Sequence, residues 1–253
     1  QYLRDPLQEG YLITPTRGLI QKYNGRALVI TTGACAINCR YCFRRHFPYG
    51  DNNPSSSDWA GIYQRLASDA SISEVILSGG DPLILGDRQL SDIIAKLDSI
   101  ETVNTIRLHT RLPIAIPQRI CPRLLDWVNQ CRKKVVFVLH TNHPNEIDDH
   151  VVDAVRALRD AGATLLNQSV LLRDVNDSPE VLVMLSRRLF DAGVLPYYLH
   201  LLDPVAGAQH FDVPELDGVN LIRQISGQLP GYLVPRLARE IPGADAKQVI
   251  AGQ

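Results

Sequence analysis

The chain has 253 residues, of which 45% are hydrophobic, 21% charged and 6% aromatic. That balance excludes intrinsic disorder and collagen-like order and suits one large domain or two small ones. The formal net charge of −1 argues against broad nonspecific nucleic-acid binding, which needs a basic face.

From Gln1 onward the opening residues are polar and lack the basic-then-apolar pattern of a secretory leader, and the odd count of five cysteines then reads as reduced and cytoplasmic. No apolar run of roughly 18 residues appears, so no membrane contact is expected. Residues 1–26 read as a lead-in segment. Apolar, β-branched runs then recur at 27–32 (ALVITT), 74–78 (EVILS), 103–109 (VNTIRLH), 134–140 (KVVFVLH), 163–170 (ATLLNQSV) and 196–202 (PYYLHLL). Most read as continuously apolar strands of a parallel sheet covered on both faces. Between them lie helical patterns. Asp87 is expected to cap a helix with Leu90, Ile93, Ile94 and Leu97 on one stripe. Asp148 opens another with Val151, Val152, Val155 and Leu158. Gly162 and Gly193 sit where two of the helices should stop. Six βα units over residues 27–230 predict an α/β fold, either a doubly wound sheet or an incomplete barrel. Residues 231–253 follow as a C-terminal segment. Both architectures place chemistry on the loops leaving the carboxyl ends of the strands.

Those loops hold the unusual residues. The cysteines follow the first strand and Gly79-Gly80-Asp81 the second. His109-Thr110-Arg111 follows the third and His140-Thr141-Asn142-His143 the fourth. Gln168 lies within the fifth, and His200 and Asp203 lie on or just after the sixth. There are five cysteines, an odd number. With no leader this reads as a reduced chain whose clustered thiols bind metal or do redox work. Cys121 and Cys131 read as inert buried thiols. Cys35, Cys39 and Cys42 form a C-x3-C-x2-C array. Thiolates suit iron–sulfur clusters and zinc alike, and His46 is a candidate fourth ligand for a closed structural zinc site. The second reading makes the chain a non-catalytic, zinc-stabilised binding protein.

The array, with Tyr41 before its last cysteine, resembles the cluster motif of radical S-adenosylmethionine (SAM) enzymes. Gly79-Gly80-Asp81 resembles their glycine-rich segment, which meets the SAM amino group. Residues 35–45, Asn167–Leu172, His140-x-x-His143-Pro144 and Pro196-Tyr197-Tyr198 leading to Asp203 resemble the lysine 2,3-aminomutase family. The likeness is strongest to the branch that makes (R)-β-lysine for translation elongation factor P. The resemblance implies a partial (β/α)6 barrel, a [4Fe–4S] cluster on Cys35, Cys39 and Cys42, SAM, and pyridoxal 5′-phosphate (PLP). It implies lysine as substrate, elongation factor P or its ligase downstream, and an external electron donor.

Five of the 26 basic residues are lysines. Residues 231–247 resemble the family's PLP-lysine segment, which makes Lys247 the catalytic Schiff-base residue. Arg26 and Lys22 correspond to its phosphate-binding cations, and His140 and Gln168 to positions near SAM. Arg44 corresponds to the residue gripping the substrate α-carboxylate. Asp203 and Glu240 correspond to the two acids receiving the distal ammonium. At 240 the family's lysine-specific pattern has Asp, so the extra methylene of Glu240 is expected to push its carboxylate into the pocket. Two acids there would repel a distal carboxylate and disfavour glutamate as substrate.

Overall fold

The computed structural model describes residues 2–11, 14 and 16–251. Seven parallel strands run consecutively: β2 (Arg26–Thr32), β3 (Glu74–Gly79), β4 (Thr105–Thr110), β5 (Lys134–Leu139), β6 (Thr164–Val170), β7 (Leu195–His200) and β8 (Arg236–Arg239). A short β1 (Leu19–Ile20) pairs antiparallel with β2, and β9 (Gln248–Ala251) pairs antiparallel with β8. The sheet order follows the chain from β1 to β9, and among the described residues the two edges do not pair. The sheet is therefore an α/β partial barrel. Its lead-in and C-terminal segments meet across the opening, where Lys22 Nζ lies 2.6 Å from Glu240 Oε2.

Helices connect the strands: α1 (Tyr49–Asn52), α2 (Asp58–Ser68), α3 (Asp87–Asp98), α4 (Leu112–Ala115), α5 (Pro122–Gln130), α6 (Asp149–Asp160), α7 (Pro179–Asp191) and α8 (Glu215–Ser226). Asp148 caps α6, accepting from Val151 N at 2.9 Å. Gly162 (φ +100°) and Gly193 (φ +88°) turn the chain just past α6 and α7, in the left-handed region open to glycine. Asp87 differs from expectation. Gly86 is the cap of α3, and Asp87, its first residue, instead pairs with Arg119 at 2.7 Å.

The expectation of strands covered on both faces is also corrected. Val75, Leu77, Ile106, Leu108, Val135, Phe137, Leu139 and Leu165 form one sheet face. They are buried together with Ile62, Leu66, Leu90, Leu97, Val155 and Leu158 of the helices. Each such side chain contributes roughly 1.5–3 kcal/mol by burial. The other face of β4 and β6 alternates out of this core and carries Arg107, His109 and Gln168. Helices cover one side, and the opposite side is a partly polar lumen. No described helix is long and apolar enough to cross a membrane.

Candidate active site

The β8–β9 hairpin explains the pair at the C-terminal edge. Its register sets Ala238 opposite Val249 and Arg239 opposite Gln248. One step further, Glu240 faces Lys247, so a spacing of seven in sequence becomes a cross-strand contact. Lys247 Nζ lies 2.5 Å from Glu240 Oε1 and 5.5 Å from the centre of the Tyr198 ring. The other Glu240 oxygen accepts from Lys22 Nζ at 2.6 Å and from the Tyr23 hydroxyl. Burial raises the pKa of this carboxyl, but Lys247, Lys22 and Tyr23 together hold it down at about 2. Arg26 stacks on the same Tyr23 ring, at 5.3 Å. Lys22, Tyr23 and Arg26 lie before or at the start of β2. The constellation is therefore not confined to the carboxyl ends of the strands.

Glu240 thus sits differently from the expected pocket acid: its carboxylate is shared by two lysines and a tyrosine. Asp203, just past β7, forms no ion pair among the described residues. Burial, followed by the charge of Glu240, pushes it up to about 7 against the pull of Lys247 and Lys22. Two neighbouring carboxyls are thereby split, one ionised and one poised near neutrality.

The three cysteines lie in the loop between β2 and α1. Burial raises Cys35 to about 11, helped by Asp81 and by the nearby sulfurs of Cys42 and Cys39. The thiols therefore share one neighbourhood. Among the described residues, no three His, Cys, Asp or Glu side chains converge on a point for a single ion, and His46 is exposed. The closed Cys3His zinc site is not built. A multi-iron cluster spreads its thiolates around several metal atoms, so the lack of convergence on one point does not count against it.

Gly79 and Gly80 let β3 press against that loop. Gly80 N donates to Thr32 O at 2.7 Å and Asp81 N to Ala34 O at 2.9 Å. A Cβ on Gly80 would lie 2.1 Å from Ala34 O, and Gly79 has φ +113°. The Asp81 carboxylate is internal, accepting from Thr110 Oγ1 and Arg111 N, both at 2.7 Å, and from Leu83 N at 3.0 Å. The Arg111 guanidinium reaches Tyr41, Glu146 and, at 3.8 Å, Cys39 Sγ. Asn142 Nδ2 donates to the Tyr41 hydroxyl at 2.6 Å. The aromatic before the last cysteine is thus tied to the ends of β4 and β5.

In the Asn167–Leu172 motif, Asn167 and Ser169 are buried and hold Thr141. Asn167 Oδ1 accepts from Thr141 N at 3.0 Å, and Ser169 Oγ donates to Thr141 O at 2.6 Å. Gln168 alternates to the lumen face of β6. His140 has a buried Nε2 without a partner among the described residues and is pushed down to about 4 by burial and then by Arg111, Lys247 and Arg44. His109 and His200 carry the same orphaned Nε2. The His109 and His140 rings meet edge-on at 5.8 Å. His143 acts as a cap, its Nδ1 accepting from Asn145 N at 3.1 Å. Cys121 and Cys131 are half-buried, beside Asp87 and Asp98.

Arg44 is buried and already partnered. Its Nε and Nη2 donate to Glu9 Oε2 and Oε1 at 2.6 and 2.8 Å, and its Nη1 donates to Ser78 Oγ at 3.1 Å. Sequence reading missed Glu9 and Tyr23, and placed Arg111 at a strand end without giving it a role. Tyr23, an aromatic between Lys22 and Arg26, was the one with a signal at hand.

The Radical SAM superfamily model matches residues 29–185. The L-lysine 2,3-aminomutase of Escherichia coli (strain K12) is 46% identical over 96% of this chain and 70% of its own length. The Haemophilus influenzae enzyme of that name is 44% identical over 98% of this chain and 73% of its own. Among solved structures, Streptococcus suis SuiB bound to precursor peptide SuiA superposes with TM-score 0.62, at 16% identity, over 83% of this chain and 47% of that one. A radical SAM methyltransferase from Sphaerobacter thermophilus gives 0.56 at 15% identity, over 87% of this chain and 68% of that one. These two share the fold alone.

The superfamily and the aminomutases imply a [4Fe–4S] cluster, SAM and PLP. The residues fit: three neighbouring thiols, a glycine-permitted close approach beside them, orphaned buried imidazoles facing the lumen, and a lysine at its edge beside two further cations. By fold, motif and identity over nearly its whole length the chain belongs to the lysine 2,3-aminomutase family of radical SAM enzymes.

Proposed function

We propose that this protein converts L-lysine to (R)-β-lysine with PLP on Lys247, and that the product is destined for elongation factor P. When bound, the cluster and SAM supply a hydrogen-abstracting carbon radical after one electron from an external donor, and PLP supplies a carrier for the migrating nitrogen. Cys35, Cys39 and Cys42 hold the cluster, and Gly79 and Gly80 let the neighbouring backbone close on it. His140 and Gln168 line the SAM side of the lumen, His140 neutral and with its Nε2 unpartnered among the described residues.

Lys247 anchors PLP, with Lys22 and Arg26 as cations for its phosphate. Arg44 receives the α-carboxylate and Asp203 the distal ammonium. Glu240 holds Lys247 and Lys22 in place and adds negative potential beside Asp203. A substrate ending in a carboxylate would meet repulsion there. The enclosing lumen keeps water from reactive intermediates.

The observation that carries this reading is the Lys247–Glu240 pair beside Asp203, which is half-buried and unpaired among the described residues. Anaerobically reconstituted protein with SAM and reductant should give β-lysine by mass spectrometry. Lys247→Ala should lose PLP absorbance while retaining iron. Product that is (S), or turnover of glutamate and not lysine, refutes the reading. Transfer of the product to elongation factor P by its ligase tests the destination.

A further inference from the structure

We infer that Glu9 is a positioning residue for Arg44, fixing the guanidinium so that a single edge remains for the substrate carboxylate. The inference rests on the aminomutase reading and extends it to a residue in the lead-in segment. A guanidinium has five N–H donors in one plane. Glu9 occupies the Nε–Nη2 edge, at 2.6 and 2.8 Å, and Ser78 Oγ takes one Nη1 hydrogen at 3.1 Å. The Phe43 ring lies 5.0 Å from the guanidinium carbon and limits its rotation. Nη1 and Nη2 each keep one further hydrogen with no partner among the described residues, which leaves them for a second carboxylate.

Glu9 is itself held. Its backbone N–H donates to Asp5 Oδ1 at 3.1 Å, and that of Gly10 to Asp5 Oδ2 at 3.2 Å. Leu7 between them is 3% exposed. Upstream, Leu3 N donates to Pro204 O at 2.7 Å and Ala206 N to Leu3 O at 2.8 Å. One strap thus runs from the loop next to Asp203 to the guanidinium of Arg44, tying together the groups assigned to the two ends of lysine. Side chains of the Arg44–Glu9 pair are 8% and 7% exposed. Separating such a pair strands a buried charge, so the pair behaves as a fixture rather than a latch that substrate displaces.

The test compares L-lysine with pentane-1,5-diamine, which has both amines and no carboxylate, by calorimetry on the reconstituted full chain. Glu9→Gln should weaken lysine about tenfold, the size of one charge-assisted hydrogen bond, and leave the diamine unchanged. KM for lysine should rise more than kcat falls. Glu9→Asp, which keeps the charge, should restore part of the affinity and serves if the first variant folds poorly. In an Arg44→Lys background, Glu9→Gln should change lysine affinity by less than about threefold, because coupled neighbours are not additive. Tighter lysine binding by Glu9→Gln, equal losses for both ligands, or full additivity with Arg44→Lys overturns the inference. If wild-type protein binds lysine but forms no β-lysine, the functional reading fails while the binding comparison still decides Glu9.

Discussion

Replacing Asp203 by Asn isolates the most perturbed carboxyl in the site. In the folded protein Asp203 titrates at about 7 against an ordinary 3.8, chiefly through burial and then through Glu240. A folded-state pKa above the unfolded one means the native state holds the proton more tightly. The stability this gives is fully present below the unfolded value and lost as pH rises through about 7. Integrated between about pH 5 and pH 8, the loss is at most about 2.7 kcal/mol, at 1.36 kcal/mol per pKa unit. Urea unfolding of the wild type and of Asp203→Asn under anaerobic conditions should therefore diverge with pH. The variant should be level with wild type only below about pH 4, and its advantage should grow by up to about 2.7 kcal/mol between pH 5 and pH 8. The same ionisation should appear in catalysis, because only the charged form attracts an ammonium. Lysine kcat/KM should rise as pH passes about 7 in the wild type. Parallel stability curves for the two proteins between pH 5 and 8 would refute the assignment of that titration to Asp203.

Glu240→Gln removes the charge that two lysines share, leaving cations half-buried without a counter-ion. Unfolding at pH 8 should show a loss of about 3 kcal/mol. Because Glu240 is held at about 2, its stabilisation exists above the ordinary carboxyl range and disappears as pH falls towards 2. The variant should show a flatter acid limb, and an unchanged limb counts against the triple contact. Gly80→Ala places a methyl group 2.1 Å from Ala34 O. It should cost about 1–3 kcal/mol by overpacking and lower iron bound per chain after reconstitution. Full iron loading with wild-type stability would mean that this close approach is dispensable.

Much of the architecture was legible because apolar runs and helical stripes have different periods. The six strands anticipated at 27–32 through 196–202 correspond to β2 through β7 within one or two residues, and Gly162 and Gly193 mark the turns past α6 and α7. The cysteine array was legible because its spacing is local. The sheet edges were not. β1, β8 and β9 have two to four residues each, too short for periodicity to register. Yet the register of β8 with β9 is what brings Lys247 onto Glu240. Residue type and order determined which groups were available: three thiols, few lysines, and acids near the strand ends. Which group meets which was decided by closure of the barrel. Lys22 reaches Glu240 across 218 positions, Glu9 takes an edge of Arg44, and Asp203 is left without a side-chain partner among the described residues. Long-range pairings of this kind depend on strand tilt, register and competition between charges for a limited set of partners, and no local pattern in the chain encodes them.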